Sequence, residues 1–280
     1  SGESFSTQLP KNDGGILIDP EGEPWRLVRN GPMTQGGGWW LAGVLGLIAL
    51  GHIEPVVGMA SHPASYGGTV VSRSLQAPDL LARAVACEPD LMDKVVELGL
   101  ELVAEGAGAI VTSCGYWIKA QADLSAQLPV PFFSSSLLFA PLALAASAPG
   151  RVLVGAAIAS KFSGDCLVSA GVPAEKHGRF EVIGMEGVPS FSRMILNAGG
   201  VTDPAALRSE IADAVTEAAL ADPSIGAVVL ECADMALAAD DIRLRTGLPV
   251  WDCVQLGQLA RSSLGRAAET AELGSEVIMP

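Results

Sequence analysis

Two cysteines stand at matching places in the chain, each where a thiol could move a proton. Cys114 closes the run "GAIVTSC" and Cys232 closes "GAVVLEC". Each follows a short, β-branched apolar stretch and precedes a helical pattern, which puts it at the carboxyl end of a strand. In a parallel α/β unit the cleft opens beyond those ends, and a helix start favours thiolate over thiol. Two thiols facing one another across such a cleft can take a proton from one face of a carbon and return one to the other. One then starts as base and its partner as acid.

Their neighbours are of a kind that could hold a substrate. Gly115 leaves backbone N–H groups open to a carboxylate or a developing enolate oxygen. Thr112, Ser113 and the run Ser134-Ser135-Ser136 add hydroxyls at strand ends, although caps and turns use the same residue types. Tyr116 and Trp117 would wall the cavity or pack beneath it. The remaining cysteines, Cys87, Cys166 and Cys253, read as structural.

The elements that must position the two thiols are legible around them. "DLMDKVVELGLELVAEG" (90–106) carries Met92, Val95, Val96, Leu98, Leu102 and Val103 along a helical stripe ahead of the first strand–Cys unit. "TDPAALRSEIADAVTEAAL" (202–220) precedes the second, with Asp203 as cap, Pro204 in the first turn and Leu207, Ile211 and Val215 on its apolar face. Leu-Pro-Val then begins 14 residues after Cys114 and 16 after Cys232. The pattern recurs over 118 residues and reads as a duplication. Further strands fall near 43–50, 69–76, 151–158 and 180–185. The predicted fold is α/β, with two pseudo-symmetric parallel α/β domains and the active site at their interface. The segments are a 1–40 extension with a short hairpin around "GGILIDPEGEPWRLV", a first half at 41–148 and a second at 149–280.

Composition narrows the setting. The 280 residues are 49% hydrophobic but only 5% aromatic, which suits helices closely packed on parallel sheets. A formal net charge of −14 argues against a nucleic-acid partner. Five cysteines without a CxxC pair make a poor disulfide framework and a poor zinc site. His52, His62 and His177 have no metal-ligand spacing. "WWLAGVLGLIAL" (39–50) is too short to span a bilayer and is not directly preceded by the basic residues that open a signal peptide, so it reads as a buried strand. Together these give the expectation of a cytoplasmic protein with no metal and no membrane association.

"TSCG" and "ECADM" resemble the two cysteine motifs of the aspartate/glutamate racemase superfamily, the second being most like the form in hydantoin racemases. "HPASYGG" (62–68) resembles a loop that helps seat the substrate in that family. The resemblance covers roughly residues 41–260. It implies a cofactor-independent racemase or isomerase acting on a small-molecule carboxylate, with Cys114 and Cys232 catalytic. Substrate contacts are then implied for Ser113, Gly115, Tyr116, Ser135, Ser136, Ala233, Asp234, His62, Ser65 and Tyr66. Homo-oligomerisation is left open. Amino-acid racemases carry Asn-Thr after the first cysteine and Thr-His after the second, where this chain has Gly115-Tyr116 and Ala233-Asp234. The Asp-Ser pair usual after the first strand is also missing. These departures weaken a claim for free aspartate or glutamate and leave the thiol chemistry intact. Dimethylsulfoniopropionate lyases of algal type belong to the same superfamily, so the resemblance also implies an alternative. A thiolate that removes an α-proton can expel a β leaving group, with Trp39, Trp40, Tyr66 and Tyr116 as candidates to hold a sulfonium cation. A binding protein closing two lobes on a ligand would leave a cysteine at both equivalent positions unexplained.

Overall fold

The computed structural model describes residues 43–264. The expected extension, its hairpin, Trp39 and Trp40 lie outside the described residues. Among the described residues, eight strands form two four-stranded, wholly parallel sheets. The first contains β1 (Leu45–Leu50), β2 (Val70–Leu75), β3 (Ala109–Thr112) and β4 (Phe132–Phe133), in the order β2-β1-β3-β4. The second contains β5 (Arg151–Ala156), β6 (Phe180–Gly184), β7 (Ile225–Leu230) and β8 (Val250–Trp251), in the order β6-β5-β7-β8. The orders are the same, so the duplication read around the cysteines extends to the outer strands. β3 and β7 lie inside their sheets with helices on both faces, which is why both are almost continuously apolar.

Local chemistry explains the elements that lead into the two cysteines. The helix Pro89–Ala104 starts on a proline and buries Leu91, Val95, Gly99 and Leu102, a three- and four-residue stripe facing the sheet. The helix Pro204–Ala221 begins as expected, with Asp203 accepting from the Ala206 N–H at 3.0 Å and Leu207, Ile211 and Val215 buried. After each cysteine the chain turns first into a six-residue 3-10 helix, Gly115–Ala120 or Ala233–Ala238, before α-helix resumes.

The two halves share their cores. The helix Ala140–Ala146 follows β4, yet Ala140, Ala143 and Leu144 pack on Val152, Val154, Ala227 and Val229 of the second sheet. The helix Cys253–Ser263 follows β8, yet Cys253 and Ala260 pack with Leu45, Leu47, Ala109 and Val111 of the first. Each sheet is thus covered on one face by the last described helix of the other half. This exchange holds the ends of β3 and β7 against one another.

Candidate active site

Cys114 and Cys232 each occupy the N-cap position of their 3-10 helix, with extended backbone at φ −126° and −74°. They border a single cavity of about 30 Å³. The first half contributes Leu50, His52, Leu81, Ser113, Gly115 and Tyr116 to its wall; the second contributes Ala157, Ile195, Leu196, Glu231 and Asp234. No lysine or arginine is among the described side chains lining it. That volume accommodates a water molecule or two, so a substrate must displace part of the wall. Leu81 and Leu196 also line a wider outer groove of about 480 Å³, with Val85, Ile158, Lys119 and Lys161. These two leucines therefore stand between the thiols and the groove.

Backbone N–H groups of Tyr116 and Trp117 favour a thiolate at Cys114, as a helix start should, but burial wins. Burial pushes the Cys114 thiol well up, and Glu231 and Cys87 push in the same direction. Cys232 keeps some exposed surface, yet its thiol is pushed well up too, first by burial, then by Asp234 and Glu231. At both cysteines burial therefore works against the thiolate that a helix start favours. The carboxyls move the same way. Burial raises Glu231 to about 7, opposed by the Ala157 N–H and by Lys119. It raises Asp234 to about 6, opposed by the Ser61 hydroxyl, which donates to Asp234 Oδ1 at 3.0 Å. Burial lowers His52, partly offset by the Leu50 backbone, and neither ring nitrogen reaches a protein partner in hydrogen-bond geometry.

Of the residues named from sequence, the structure brings Ser113, Cys114, Gly115, Tyr116, Cys232 and Asp234 to this cavity. Ser113 Oγ accepts from the Leu50 N–H at 2.8 Å, tying β1 to the cysteine loop. The Tyr116 hydroxyl is committed: it donates to the Ile158 carbonyl at 2.7 Å and accepts from the Ile158 N–H at 2.9 Å.

The others are placed elsewhere. Ser135 caps the helix after β4 through the Leu137 N–H, and Ser136 donates to the Leu230 carbonyl at 2.5 Å, clamping the halves together. Thr112 donates to the Ser134 carbonyl and Trp117 to the Ala84 carbonyl, so both are framework residues. Ala233 is fully buried, its carbonyl accepting from the Ala60 N–H. His62 caps its own turn through the Ala64 N–H. Ser65 bonds to Gly58 and Met59 of its own loop, and Tyr66 donates to the Ala60 carbonyl at 2.6 Å, buried against Gly257. The loop 62–66 therefore supports the site from behind; its neighbour Ser61 is the one that reaches a cavity residue.

Glu231, His52 and the leucines at the mouth were not found from sequence. For Glu231 a signal existed: a carboxylate closing an apolar strand needs a reason to be there. Among the described residues no group of three His, Cys, Asp or Glu side chains is arranged to hold a metal ion, and no helix is long and apolar enough to cross a membrane.

Fold and site together define a two-half parallel α/β protein with one cysteine from each half on a shared cavity. No family model matches the chain. Among characterised proteins it is 39% identical over 80 residues to dimethylsulfoniopropionate lyase 2 of Emiliania huxleyi, covering 29% of this chain and 23% of that protein. It is 30% identical over 168 residues to dimethylsulfoniopropionate lyase 5 of Emiliania huxleyi strain CCMP1516, covering 56% of this chain and 33% of the relative. The matches thus span a third or less of those proteins. Among solved structures, an aspartate racemase homologue from Pyrococcus horikoshii OT3 aligns with TM-score 0.48 and 14% identity, over 79% of this chain and 98% of that one. Unliganded arylmalonate decarboxylase aligns with TM-score 0.48 and 17% identity, over 81% and 94%. At such identities the likeness is one of fold alone.

Proposed function

We propose that this chain is an enzyme of the aspartate/glutamate racemase superfamily that removes a proton next to a carboxylate using Cys114 and Cys232, and that its reaction is a β-elimination of the dimethylsulfoniopropionate lyase type. The observation that carries the reading is the single cavity bordered by a cysteine from each half, with two carboxyls and neither lysine nor arginine among the described residues on its wall. A substrate that is only an anion would be buried there without a countercharge, which is costly. A sulfoniopropionate brings its own cation, which Glu231, Asp234 and the face of Tyr116 suit. Its carboxylate is served by the N–H groups of the turns after the cysteines.

The chemistry then balances simply. A cysteine thiolate takes the proton from the carbon beside the carboxylate. The freed electron pair becomes a carbon–carbon double bond as the carbon–sulfur bond breaks. The sulfur departs with that bond's electrons as a neutral thioether, and the new thiol returns its proton to water. The local sequence relatives, both lyases by name, support this outcome.

Isomerisation is the second reading, favoured by the equivalence of the two thiols, each an N-cap at the end of a third strand. There the second thiol reprotonates the opposite face instead of a bond breaking. Dimethylsulfoniopropionate and a panel of chiral carboxylates in deuterated buffer, followed by NMR, distinguish them. Release of thioether and alkene is expected; inversion with deuterium uptake supports the second reading, and neither product nor exchange sinks both.

A further inference from the structure

Glu231 is the cavity group whose chemistry the two thiols leave unexplained. It is fully buried at the end of β7. One carboxyl oxygen, Oε2, accepts from the Ala157 N–H at 3.1 Å, while Oε1 has no hydrogen-bond partner. A buried, unpartnered carboxyl oxygen costs stability, so its presence in a fold calls for a reason. It lies on the cavity beside Cys232, its own neighbour in sequence, and against Gly115, the residue after Cys114. It therefore lies beside both cysteine loops, one from each half, and its charge acts on both thiols.

We propose that Glu231 is the internal base of this cavity, taking the proton from a cavity thiol so that a thiolate forms without adding charge to the buried site. In the step the S–H bond breaks, an O–H bond forms on Glu231, and one negative charge moves from carboxylate oxygen to sulfur. The reverse transfer restores the thiol. Burial opposes two thiols ionising independently, but not a charge already inside changing hands. The titratable groups around Glu231 are Cys114 and Tyr116 from the first half and Cys232 and Asp234 from the second, with His52 on the same wall, Lys119 beyond Tyr116, and Cys166 and Cys253 near enough to feel its charge. Lys119 favours the ionised carboxylate and burial disfavours it. This inference deepens the thiol reading of the site, but its test needs no substrate, so the two can fail separately.

The test is the pH dependence of alkylation at Cys114 and Cys232 by iodoacetamide, read by peptide mapping from pH 5 to 10. A thiol titrating alone at high pH gains about tenfold in rate per unit throughout that range. A thiol sharing one proton with Glu231 should instead show an inflection near 7, where the carboxyl ionises, followed by a plateau. Glu231→Gln, which retains an acceptor for the Ala157 N–H, should abolish the inflection and slow alkylation at pH 8 by tenfold or more. Asp234→Asn, which removes the other cavity carboxyl, should keep the inflection. If Glu231 acted only as a repelling charge, Glu231→Gln would lower the thiol pKa and speed alkylation. An equal or faster variant overturns the proposal. So does a wild-type profile without an inflection near 7, a result that requires no variant to fold.

Discussion

Gly115 of the first half lies against Glu231 of the second so closely that a methyl group on its α-carbon would overlap both the backbone carbonyl and the carboxyl of Glu231. The contact fixes the distance between the two cysteine loops. Gly115→Ala must push them apart, and overpacking of this kind costs about 1–3 kcal/mol. The expected result is a lower melting temperature and lost turnover together. A variant with wild-type melting and activity would mean that the loops are not in register as described.

Serine in place of either cysteine keeps the size and removes the ionisable thiol. Loss of one acid–base group lowers turnover by about 10²-fold or more. Under elimination one of Cys114→Ser and Cys232→Ser abolishes product release while the other retains a measurable fraction. Under isomerisation both collapse, and each exchanges the α-proton of one isomer only. Steady-state rates with NMR-detected exchange separate these outcomes, and full activity in either variant removes the cysteine pair from the mechanism.

The buried carboxyls give stability a pH signature. In the fold Glu231 is raised from 4.5 to about 7 and Asp234 from 3.8 to about 6. Both protons are therefore held more tightly in the folded state. Their stabilising contribution is complete below pH 3.8, declines as the unfolded chain ionises, and is lost once pH passes 7. For Glu231 alone the swing is about 3 kcal/mol. Chemical denaturation of the wild type should lose stability between about pH 4 and 7, and Glu231→Gln should flatten that slope. A slope unchanged by the substitution would contradict a buried, raised carboxyl at this position.

Leu81 and Leu196 separate the cavity from the outer groove. Leu196→Ala should open that wall, so alkylation of Cys114 and Cys232 should accelerate several-fold while Cys166, packed in the core beside the second sheet, stays unchanged. Equal acceleration at Cys166 would point to general loosening of the fold rather than to an opened passage.

The frame of this molecule was legible because repetition exposes it. Two strand–Cys–helix units at one spacing give the parallel sheets, the cysteines and their convergence, and caps such as Asp203-Pro204 need only local chemistry. Hydroxyl roles were less legible, because a serine's partner depends on what the fold sets opposite it. Ser135 and Ser136 look available on a strand end and are consumed by the Leu137 N–H and the Leu230 carbonyl. Tyr66 looks poised in a loop and is spent on the Ala60 carbonyl. Glu231 is the converse: it reads as the polar end of a strand, and its meaning appears only when Gly115 arrives from 116 positions earlier in the chain.

The exchanged helices carry a consequence for how such a molecule can be divided. A fragment ending near residue 148 keeps the helix that roofs the other sheet, while leaving Leu45, Leu47, Ala109 and Val111 without Cys253 and Ala260 above them. The complementary fragment strands Val152, Val154, Ala227 and Val229 in the same way. Neither piece is a domain in the sense of a unit that closes its own core, but the two are complementary and should reassemble when mixed. A lone ancestor of the repeated unit would face the same shortage, and its simplest remedy is a twofold dimer in which each copy lends its last helix to its twin. Tandem duplication then turns that borrowed roof into a covalent one, and frees two once-identical cysteine loops to diverge.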